Sequence, residues 1–446
     1  MIHTIHQLVW GPWLLLMILG VGILFTVKSG FFQLTGWKMW WKETVGSLGS
    51  EKKDVDNPHS VTQFQSACTA LAATVGTGNI VGVATALCAG GPGALLWMWI
   101  SAGIGMMTAY AEVVLGIRYR RRKKDGSWIS GPMVYLEKGL GFYGAAVLYS
   151  FFAVLASFGM GSMVQSNSIA ETLEFSFSFY PIATGAVLTL LILLVIRGGL
   201  GRIAKVTERL VPVSAGIYTI ISLIVIMSYY DRLPSVLLMI LESAWKPSSA
   251  LSGAAGYGIS VAVRYGVSRG VFSNEAGLGS LAVIHGAVEE TTPEKQGMWA
   301  MFEVFFDTMI SCSLTAFVIL CVMGSGAGTC GLDGAALTAH CFSERLGPGG
   351  EYLVSLSMLS FAFATIIAWY YLGRQNLAYL ASRTGMNART AEMVYMFLYL
   401  NAVFIGCIAR LETVWELSDI WNGLMAVPNV AALFLLRKQI HFPKKH

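Results

Sequence analysis

Long apolar runs are the feature that most constrains the fold of this chain. A helix of about 20 mostly apolar residues crosses the hydrocarbon core of a bilayer, which is roughly 30 Å thick. We count eleven such runs, near residues 10–27, 62–89, 93–117, 143–170, 181–196, 206–229, 251–284, 297–323, 352–372, 391–409 and 412–436. Only 12% of the residues are charged, well below the share in soluble globular proteins. The sequence therefore predicts an all-α integral membrane protein with eleven transmembrane helices.

The first run, Trp10 to Val27, resembles the apolar core of a signal peptide. No Lys or Arg precedes it, however, and no small-x-small cleavage site follows it. A basic segment before the apolar run and a small-residue cleavage site after it are both typical of cleaved signal peptides. We therefore expect a retained transmembrane helix, with residues 1–61 forming this extra helix and a cytoplasmic connector.

Basic residues cluster in alternate loops, and RYRRRKK (Arg118–Lys124) is the densest cluster. Loops rich in Lys and Arg usually face the cytoplasm, which places the N-terminus outside and the tail, residues 437–446, inside. Because topology accounts for the net charge of +5, we expect no nucleic-acid partner. A role for RYRRRKK in binding anionic lipid or nucleic acid remains an alternative.

The stretch TVGTGNIVG, Thr74 to Gly82, interrupts the second apolar run. A dinucleotide-binding loop would follow a strand of a soluble βαβ unit, and this context is absent. A close-packing helix face would place its small residues four apart, but here small and polar residues surround the whole helix. The pattern favours a locally unwound helix, which a membrane protein tolerates where backbone lines an internal cavity.

A second interrupted segment, Arg264 to Ser280, lies within the seventh run and contains four glycines and several polar residues. Without the N-terminal helix, the two interrupted runs are the first and the sixth of ten. Broken helices at matching positions of two halves indicate an inverted-repeat secondary transporter. We therefore predict a five-plus-five inverted repeat, with residues 62–229 as the first repeat and 251–436 as the second.

Five stretches of the sequence resemble the alanine/glycine:cation symporter family of the amino acid–polyamine–organocation superfamily. They are LAATVGTGNIVGVATA, GGPGALLWMWISAGIGMMTAYAE, SFGMGSMVQSNSIAE, SRGVFSNEAGLGS and SFAFATIIAWYYLG. The resemblance implies a leucine-transporter-like fold and sodium-coupled uptake of small neutral amino acids, chiefly alanine and glycine, by alternating access. We expect a multi-pass protein of a bacterial plasma (inner) membrane, surrounded by lipid. Sodium would be the co-transported cation, with no enzymatic cofactor and no obligatory protein partner. Proton coupling remains an alternative.

Unwound backbone offers donors for a carboxylate and acceptors for an ammonium group. An amide in an apolar helix, such as that of Gln165, suits either end of a zwitterion, although a helix–helix hydrogen bond is its alternative role. Phe272 would close over the side-chain pocket or else simply face lipid, and Trp369 would wall the pocket. For Asn79, no role other than binding is expected. The predicted substrate site comprises Gly76, Thr77, Gly78, Asn79, Gln165, Gly270, Phe272, Ser273, Asn274 and Trp369.

The family resemblance also implies a sodium site. In the superfamily, carbonyl groups of the first core helix join hydroxyl groups of the eighth. In this sequence the carbonyls would be those of Ala72 and Val75, and the hydroxyl that of Thr365. The alternative for Thr365 is a hydrogen bond to its own helix.

Acidic residues within the apolar runs raise a competing hypothesis. Glu303 and Asp307 are four residues apart and would form the acid pair of an intramembrane enzyme or a proton relay. We prefer ion pairing with Arg264 or Arg269, because charges at such depth usually pair internally. Glu112 is expected to snorkel towards the basic run that follows it or to pair with that run. A channel is a third possibility, although two unlike broken helices do not resemble a repeated pore motif.

Two cysteines, Cys330 and Cys341, share a polar loop that the charge pattern places outside. Thiols in an oxidising compartment form disulfides. A Cys330–Cys341 bridge is therefore one possibility, and two free thiols are the other.

Overall fold

The computed structural model describes residues 2–48, 57, 60–245, 255–329, 331–409 and 411–443. This part of the chain is almost entirely helical, which confirms the predicted all-α class. Cys330 lies outside the described residues, so a Cys330–Cys341 disulfide and two free thiols both stay open. The sheet in the described part is one short hairpin of β1 (Arg121–Arg122) and β2 (Trp128–Ile129).

The helices follow one another with short connections. The N-terminal part contains α1 (Ile2–Val9), α2 (Pro12–Lys28), α3 (Phe32–Thr35) and α4 (Trp37–Glu43). The middle part contains α5 (Gln63–Thr74), α6 (Val81–Gly90), α7 (Ala94–Tyr119), α8 (Pro132–Leu140), α9 (Tyr143–Phe158), α10 (Val164–Phe177), α11 (Pro181–Ile196) and α12 (Gly199–Met227). The last part contains α13 (Leu233–Trp245), α14 (Ala255–Asn274), α15 (Ser280–His285), α16 (Pro293–Val304), α17 (Ser313–Met323), α18 (Gly334–Leu346), α19 (Pro348–Thr384), α20 (Ala388–Ile408) and α21 (Leu411–Leu435).

Seven helices in the described part are long and apolar enough to cross a bilayer. An eighth results if α5 and the segment Thr77–Gly90, bent by 57° from each other, form one span. Helix α11 is apolar but shorter. The predicted count of eleven is therefore not confirmed, because α14, α15 and α21 are not among the helices that are both long and apolar enough.

The helices differ in how deeply they lie within the protein. In the central stretch of α7, 83% of the residues are buried, whereas the value for α20 is 39%. Large apolar side chains on α11, α12 and α20 are exposed. These three helices therefore present a lipid-facing surface, and α7 belongs to the enclosed core.

Basic residues from distant parts of the sequence gather at one end of the molecule, called the basic end below. The Lys28 ammonium donates to the carbonyl of Arg437, and Arg118 donates to the carbonyl of Gln439. Arg120 donates to the carbonyls of Gly286 and Val288, just beyond α15.

Glu289 is the acidic centre of the basic end. It accepts hydrogen bonds from Ser60, Trp128 and Asn57 and forms an ion pair with Arg122 at 3.0 Å. Burial alone would raise the pKa of Glu289, but these hydrogen bonds and the Arg122 charge together lower it. The carboxylate therefore stays ionised and fixes the segment that leads into α5.

Helix α5 has a defined start and a defined end. A capping box begins it: the backbone N–H of Gln65 donates to the Thr62 hydroxyl at 3.1 Å, and the N–H of Thr62 donates to the Gln65 side chain at 3.2 Å. The helix ends at Thr74, because Val75 leaves the helical conformation at φ −78° and ψ 86°. One short turn, Thr77–Asn79, then precedes α6. The predicted unwinding within Thr74–Gly82 is thus observed at residues 75–80, and we call these six residues the first break.

Side chains hold the first break in place. The Asn79 side-chain oxygen accepts from the N–H of Gly76 at 3.0 Å, and its amide donates to the Asp307 carboxylate at 2.7 Å. The Asn79 carbonyl accepts from the Thr315 hydroxyl at 2.7 Å. The expectation that Asn79 has no role besides binding was wrong, because its amide is fully engaged in holding the backbone.

The second break is narrower than predicted. Helix α14 continues through Gly270 to Asn274, and the chain leaves the helix only at residues 275–279. Glu275 takes a positive φ of 58°, and Gly277 and Gly279 take φ values of 100° and 81°. Side chains are rarely tolerated in this left-handed region, which explains the two glycines.

A buried carboxylate on α7 holds the second break. Glu112 accepts from the N–H groups of Gly277 and Gly279 at 2.9 and 3.2 Å, and from the Asn429 amide at 2.7 Å. The expected pairing of Glu112 with the basic run was therefore wrong. Backbone amides freed by the broken helix are its partners instead.

We predict that Asn79→Ala destabilises the protein. The change leaves the Gly76 N–H and an oxygen of Asp307 without this buried partner, and each such loss costs about 1–3 kcal/mol. The apparent melting temperature of the detergent-purified protein should fall clearly below that of wild type. Asn401→Ala is the matched control, because Asn401 is exposed on α20 and donates only within its own helix. Equal melting temperatures for the two variants would contradict the role given to Asn79.

Candidate functional site

The two breaks lie against each other in the core. A Cβ atom added to Gly78 would lie 3.3 Å from the Cα of Ser273, the penultimate residue of α14. A Cβ added to Gly76 would lie 2.6 Å from the Thr365 hydroxyl and 3.0 Å from the Gln165 side-chain oxygen. Glycine at both positions lets backbone and polar side chains of four helices meet. The structure thus brings together the first break, the end of α14, Gln165 and Thr365.

Gln165 links α10 to the first break. Its side-chain oxygen accepts from the N–H of Thr77 at 3.1 Å, and its amide nitrogen donates to the carbonyl of Met160 at 3.1 Å. The Met160 carbonyl is available because residues Gly159–Met163 form a π-helical turn. Gln165 therefore contacts the break directly, and both of its predicted roles remain compatible with this position.

Thr77 was predicted at the site, and its side chain stands out there. Thr77 is fully buried, and its hydroxyl has no hydrogen-bond partner within the described part of the chain. A buried polar group of this kind usually costs free energy unless it is paired. The Thr77 hydroxyl is therefore a free polar group at the break, suited to contact a ligand.

Thr365 lies on α19 opposite the end of α5. Its hydroxyl donates to the carbonyl of Ala72 at 2.8 Å and to the carbonyl of Phe361, in its own helix, at 3.0 Å. The alternative hydrogen bond to its own helix is therefore present, and the sodium role of Thr365 stays a prediction. Val75 lies at the C-terminal end of α5, one residue before Gly76. The three residues predicted for sodium therefore lie at the same end of α5.

Asp307 connects the two breaks to α16 and the π-helical segment Phe305–Cys312. Besides Asn79, the Ser273 and Thr308 hydroxyls donate to its carboxylate, each at 2.9 Å. Asn274 lies beside it, and its amide donates to the Thr308 hydroxyl at 3.0 Å. Ser273 therefore lies against the first break, whereas Asn274 contacts Thr308.

The predicted ion pairing of Glu303 and Asp307 with Arg264 or Arg269 was wrong. Glu303 contacts His285 at 2.9 Å, whereas Asp307 accepts from uncharged donors. Arg269 instead pairs with Asp419 at 3.4 Å. Charge complementarity in the sequence did not reveal that Arg269 lies over Phe272 and Trp415 and reaches Asp419 on α21 instead.

The two predicted aromatic residues are both buried. Phe272 stacks on Trp415 with ring centroids 5.1 Å apart, and the Arg269 guanidinium lies over both rings. The alternative role of Phe272 as a lipid-facing residue is therefore wrong. Trp369 donates its indole N–H to Glu275 at 2.9 Å and packs against Gly161. Each aromatic residue thus borders one flank of the second break.

Gly270 was predicted at the substrate site, but it does not lie at the second break. It lies one turn inside α14, where an added Cβ would be 2.7 Å from the Ser101 hydroxyl of α7. Glycine allows these two helices to approach closely, as is common in membranes.

Conversely, sequence reasoning missed Asp307 and Glu112 as parts of the site. Their position within apolar helices was the available signal.

Comparison with known proteins agrees with this geometry. A similar fold is seen in the crystal structure of MhsT in complex with L-phenylalanine. The TM-score is 0.60 at 13% sequence identity, and the match covers 85% of this chain and 89% of that one. A substrate-bound, outward-open Na⁺-coupled sialic acid symporter has a TM-score of 0.59 at 12% identity, covering 97% and 86%. At such low identity the likeness shows the fold alone, which is the leucine-transporter-like fold implied by the sequence.

Relatives by sequence are much more similar. A transporter of Haemophilus influenzae described as uncharacterized is 40% identical over 441 residues, 98% of this chain and 94% of that protein. The sodium/alanine symporter AgcS of Methanococcus maripaludis is 38% identical over 444 residues, 98% and 94% of the two chains. The probable sodium/glutamine symporter GlnT of Bacillus subtilis is 35% identical over 438 residues, 98% and 87%.

A family model described as the sodium:alanine symporter family matches residues 1–444. The match spans nearly the whole chain, and it agrees with the resemblance found in the sequence. This integral membrane protein therefore belongs to the sodium:alanine symporter family.

Proposed function

We propose that this protein takes up a small neutral amino acid, such as alanine or glycine, together with sodium. The observation that carries the proposal is the meeting of two helix breaks in one buried place, with an unpaired hydroxyl at Thr77. Transport would proceed by alternating access between two inverted five-helix repeats, and the basic end would face the cytoplasm. That orientation places the N-terminus outside and follows from the charge pattern alone.

The substrate carboxylate would bind at the first break. Helix α6 starts at Val81, so its positive dipole end points towards Gly76–Gly78, where an anion is favoured. The Thr77 hydroxyl and the Gln165 side chain lie at the same place. The substrate ammonium group needs acceptors, and the end of α14 at Ser273 and Asn274 offers backbone carbonyls.

Sodium would bind at the end of α5. Carbonyl groups there carry the negative end of the helix dipole, and the Thr365 hydroxyl already lies 2.8 Å from the carbonyl of Ala72. An ion bound by Ala72, Val75 and Thr365 would replace this hydrogen bond with oxygen ligands. Sharing the break between the ion and the substrate couples their binding.

Substrate size is the part that family membership does not fix, because one relative is named for alanine and another for glutamine. Phe272 and Trp369 border the second break and leave little room beside it. Overfilling such a packed site costs about 1–3 kcal/mol. We therefore propose that a methyl group fits well and that large apolar side chains are disfavoured.

The two competing functions lose support. An intramembrane enzyme would need Glu303 and Asp307 to act on a common substrate, but the two carboxylates have separate sets of partners. A channel would need a continuous opening, whereas the side chains at both breaks are buried.

Uptake into proteoliposomes tests the proposed function. With an inward sodium gradient, radiolabelled alanine should accumulate above its external concentration. Replacing sodium by choline should abolish this accumulation, because the driving ion is absent. Accumulation that persists fully in choline would contradict sodium coupling, and equal uptake of leucine and alanine would contradict the proposed size limit.

Gly76→Ala should abolish alanine uptake. The added methyl group would lie 2.6 Å from the Thr365 hydroxyl and would fill the space between Thr365 and Gln165. Gly82→Ala is the matched control, because Gly82 lies in the first turn of α6 and an added Cβ would meet no atom of another element within 4 Å. Retained uptake in the control and loss in Gly76→Ala is the expected result. If both variants transport alanine normally, the site does not lie at Gly76.

Thr365→Val should raise the sodium concentration needed for half-maximal uptake by roughly tenfold, since one ligand worth about 1.4 kcal/mol is lost. The apparent alanine affinity should fall with it, because the two sites are coupled. Thr384→Val is the control: Thr384 also lies on α19 and donates to the carbonyl four residues earlier, but it is exposed and far from Ala72. An unchanged sodium dependence in Thr365→Val would mean that the hydroxyl only packs there.

A further inference from the structure

A buried amide on α21 has an oxygen atom without a partner. The side-chain oxygen Oδ1 of Asn422 makes no hydrogen bond to any part of the chain that the structure describes, and the residue is buried. The amide nitrogen of Asn422 donates to the Sδ atom of Met160, and a thioether is only a weak acceptor. A buried polar atom left unpaired costs free energy, so its presence here calls for an explanation.

The direction in which Asn422 faces follows from its neighbours on α21. Residues seven positions apart lie two turns apart on the same face of a helix. Two turns before Asn422, Trp415 stacks on Phe272, with ring centroids 5.1 Å apart. Two turns after it, the Asn429 amide donates to the carbonyl of Gly277 at 2.9 Å. Asn422 therefore faces the chain between Phe272 and Gly277, which contains the end of α14 and the start of the second break.

Met160 connects the same amide to the other residues of the predicted substrate site. Its carbonyl accepts from the amide of Gln165 at 3.1 Å, and Gln165 contacts the first break. At the next residue, Gly161, an added Cβ would lie 2.5 Å from the Cβ of Trp369. Asn422 is thus enclosed by the residues that flank the space proposed for the substrate side chain.

We infer that Asn422 selects the substrate by its side chain, and this inference rests on the proposed function. An amino acid bound with its carboxylate at the first break would direct its side chain into the space that Phe272 and Trp369 flank. A hydroxyl group on the β-carbon of the substrate can donate a hydrogen bond to Oδ1 of Asn422, which accepts only. The substrate class is therefore a small amino acid with a side-chain hydroxyl group, such as serine.

The chemistry of this space separates a hydroxyl group from a methyl group. Serine and 2-aminobutyrate are of similar size, and they differ in having OH or CH₃ at the end of the side chain. An apolar pocket prefers the methyl group, because burying a hydroxyl group without a partner is costly. A pocket with a free carbonyl oxygen prefers the hydroxyl group, because a methyl group leaves that oxygen unpaired. The preference between these two amino acids therefore reports on Asn422 and not on pocket size.

Uptake of serine and 2-aminobutyrate into proteoliposomes under an inward sodium gradient tests the inference. For wild type, the ratio of kcat/KM for serine to that for 2-aminobutyrate should be well above one. Asn422→Leu keeps the approximate size of the side chain and removes both polar atoms. This variant should lower the ratio by roughly tenfold, the value of one hydrogen bond to a buried group. Asn401→Leu, at an exposed position on α20, should keep the wild-type ratio.

Thermal stability distinguishes substrate selection from a purely structural role. If Asn422 serves the substrate, Asn422→Leu removes an unpaired buried oxygen. The melting temperature of the ligand-free, detergent-purified variant should then equal or exceed that of wild type. Serine should raise the melting temperature of wild type more than 2-aminobutyrate does, and the variant should lose this difference. A lower melting temperature of the variant together with an intact serine preference would make Asn422 a packing residue.

The outcomes separate this inference from the proposed function. If wild type takes up alanine but does not prefer serine to 2-aminobutyrate, or if the ratio is unchanged in Asn422→Leu, the role of Asn422 is overturned and the proposed function stands. If wild type takes up none of the three amino acids, the proposed function fails, and the inference fails with it. If Asn422→Leu folds but does not transport, stabilisation by each amino acid gives the comparison. If it does not fold, Asn422→Ala, which also lacks the amide, takes its place in both measurements.

Discussion

The need to satisfy every backbone hydrogen-bonding group inside a membrane governs this structure. An intact helix satisfies its own groups, but a broken helix exposes N–H and C=O groups that no lipid can pair. Asn79 and Gln165 take up the N–H groups of Gly76 and Thr77 at the first break. Gln165 belongs to α10, and Asn79 also donates to Asp307. The break therefore organises the packing of the helices around it.

At the second break, buried carboxyl groups accept the freed N–H groups. Glu112 on α7 accepts from two freed N–H groups, those of Gly277 and Gly279. Glu275 lies at the start of the same break and accepts from Trp369 and Ser280. Both carboxylates are buried, and their donors are fixed in place by packing. The result is a pair of breaks whose backbone is held open before any ligand arrives, which lowers the ordering cost of binding.

Sequence predicted those parts of the structure that depend on local composition. The apolar runs predicted the helical membrane class, and the mix of glycine with Thr77 and Asn79 located the first break to within a few residues. Motif resemblance added the family, and family comparison confirmed it. The number of spans was not confirmed, because α14, α15 and α21 carry enough polar residues to serve the core rather than the lipid.

Partner choice was the part that sequence could not provide. Glu112 binds residues more than a hundred positions away, and no local pattern reveals such a contact. Arg269 was expected near Glu303 or Asp307 on charge alone, yet it pairs with Asp419 on α21. Gly270 illustrates the same limit, since a glycine that allows two helices to pack and a glycine that opens a helix look alike in one sequence.

The central claim is that the first break itself forms the binding site. A structure determined by cryo-electron microscopy or crystallography with alanine and sodium present tests it most directly. The account predicts alanine density with its carboxylate at hydrogen-bond distance from Gly76–Gly78 and the Thr77 hydroxyl, and an ion between Ala72 and Thr365. Alanine bound elsewhere, with the Thr77 hydroxyl still unpaired and the Thr365–Ala72 hydrogen bond intact, would contradict it.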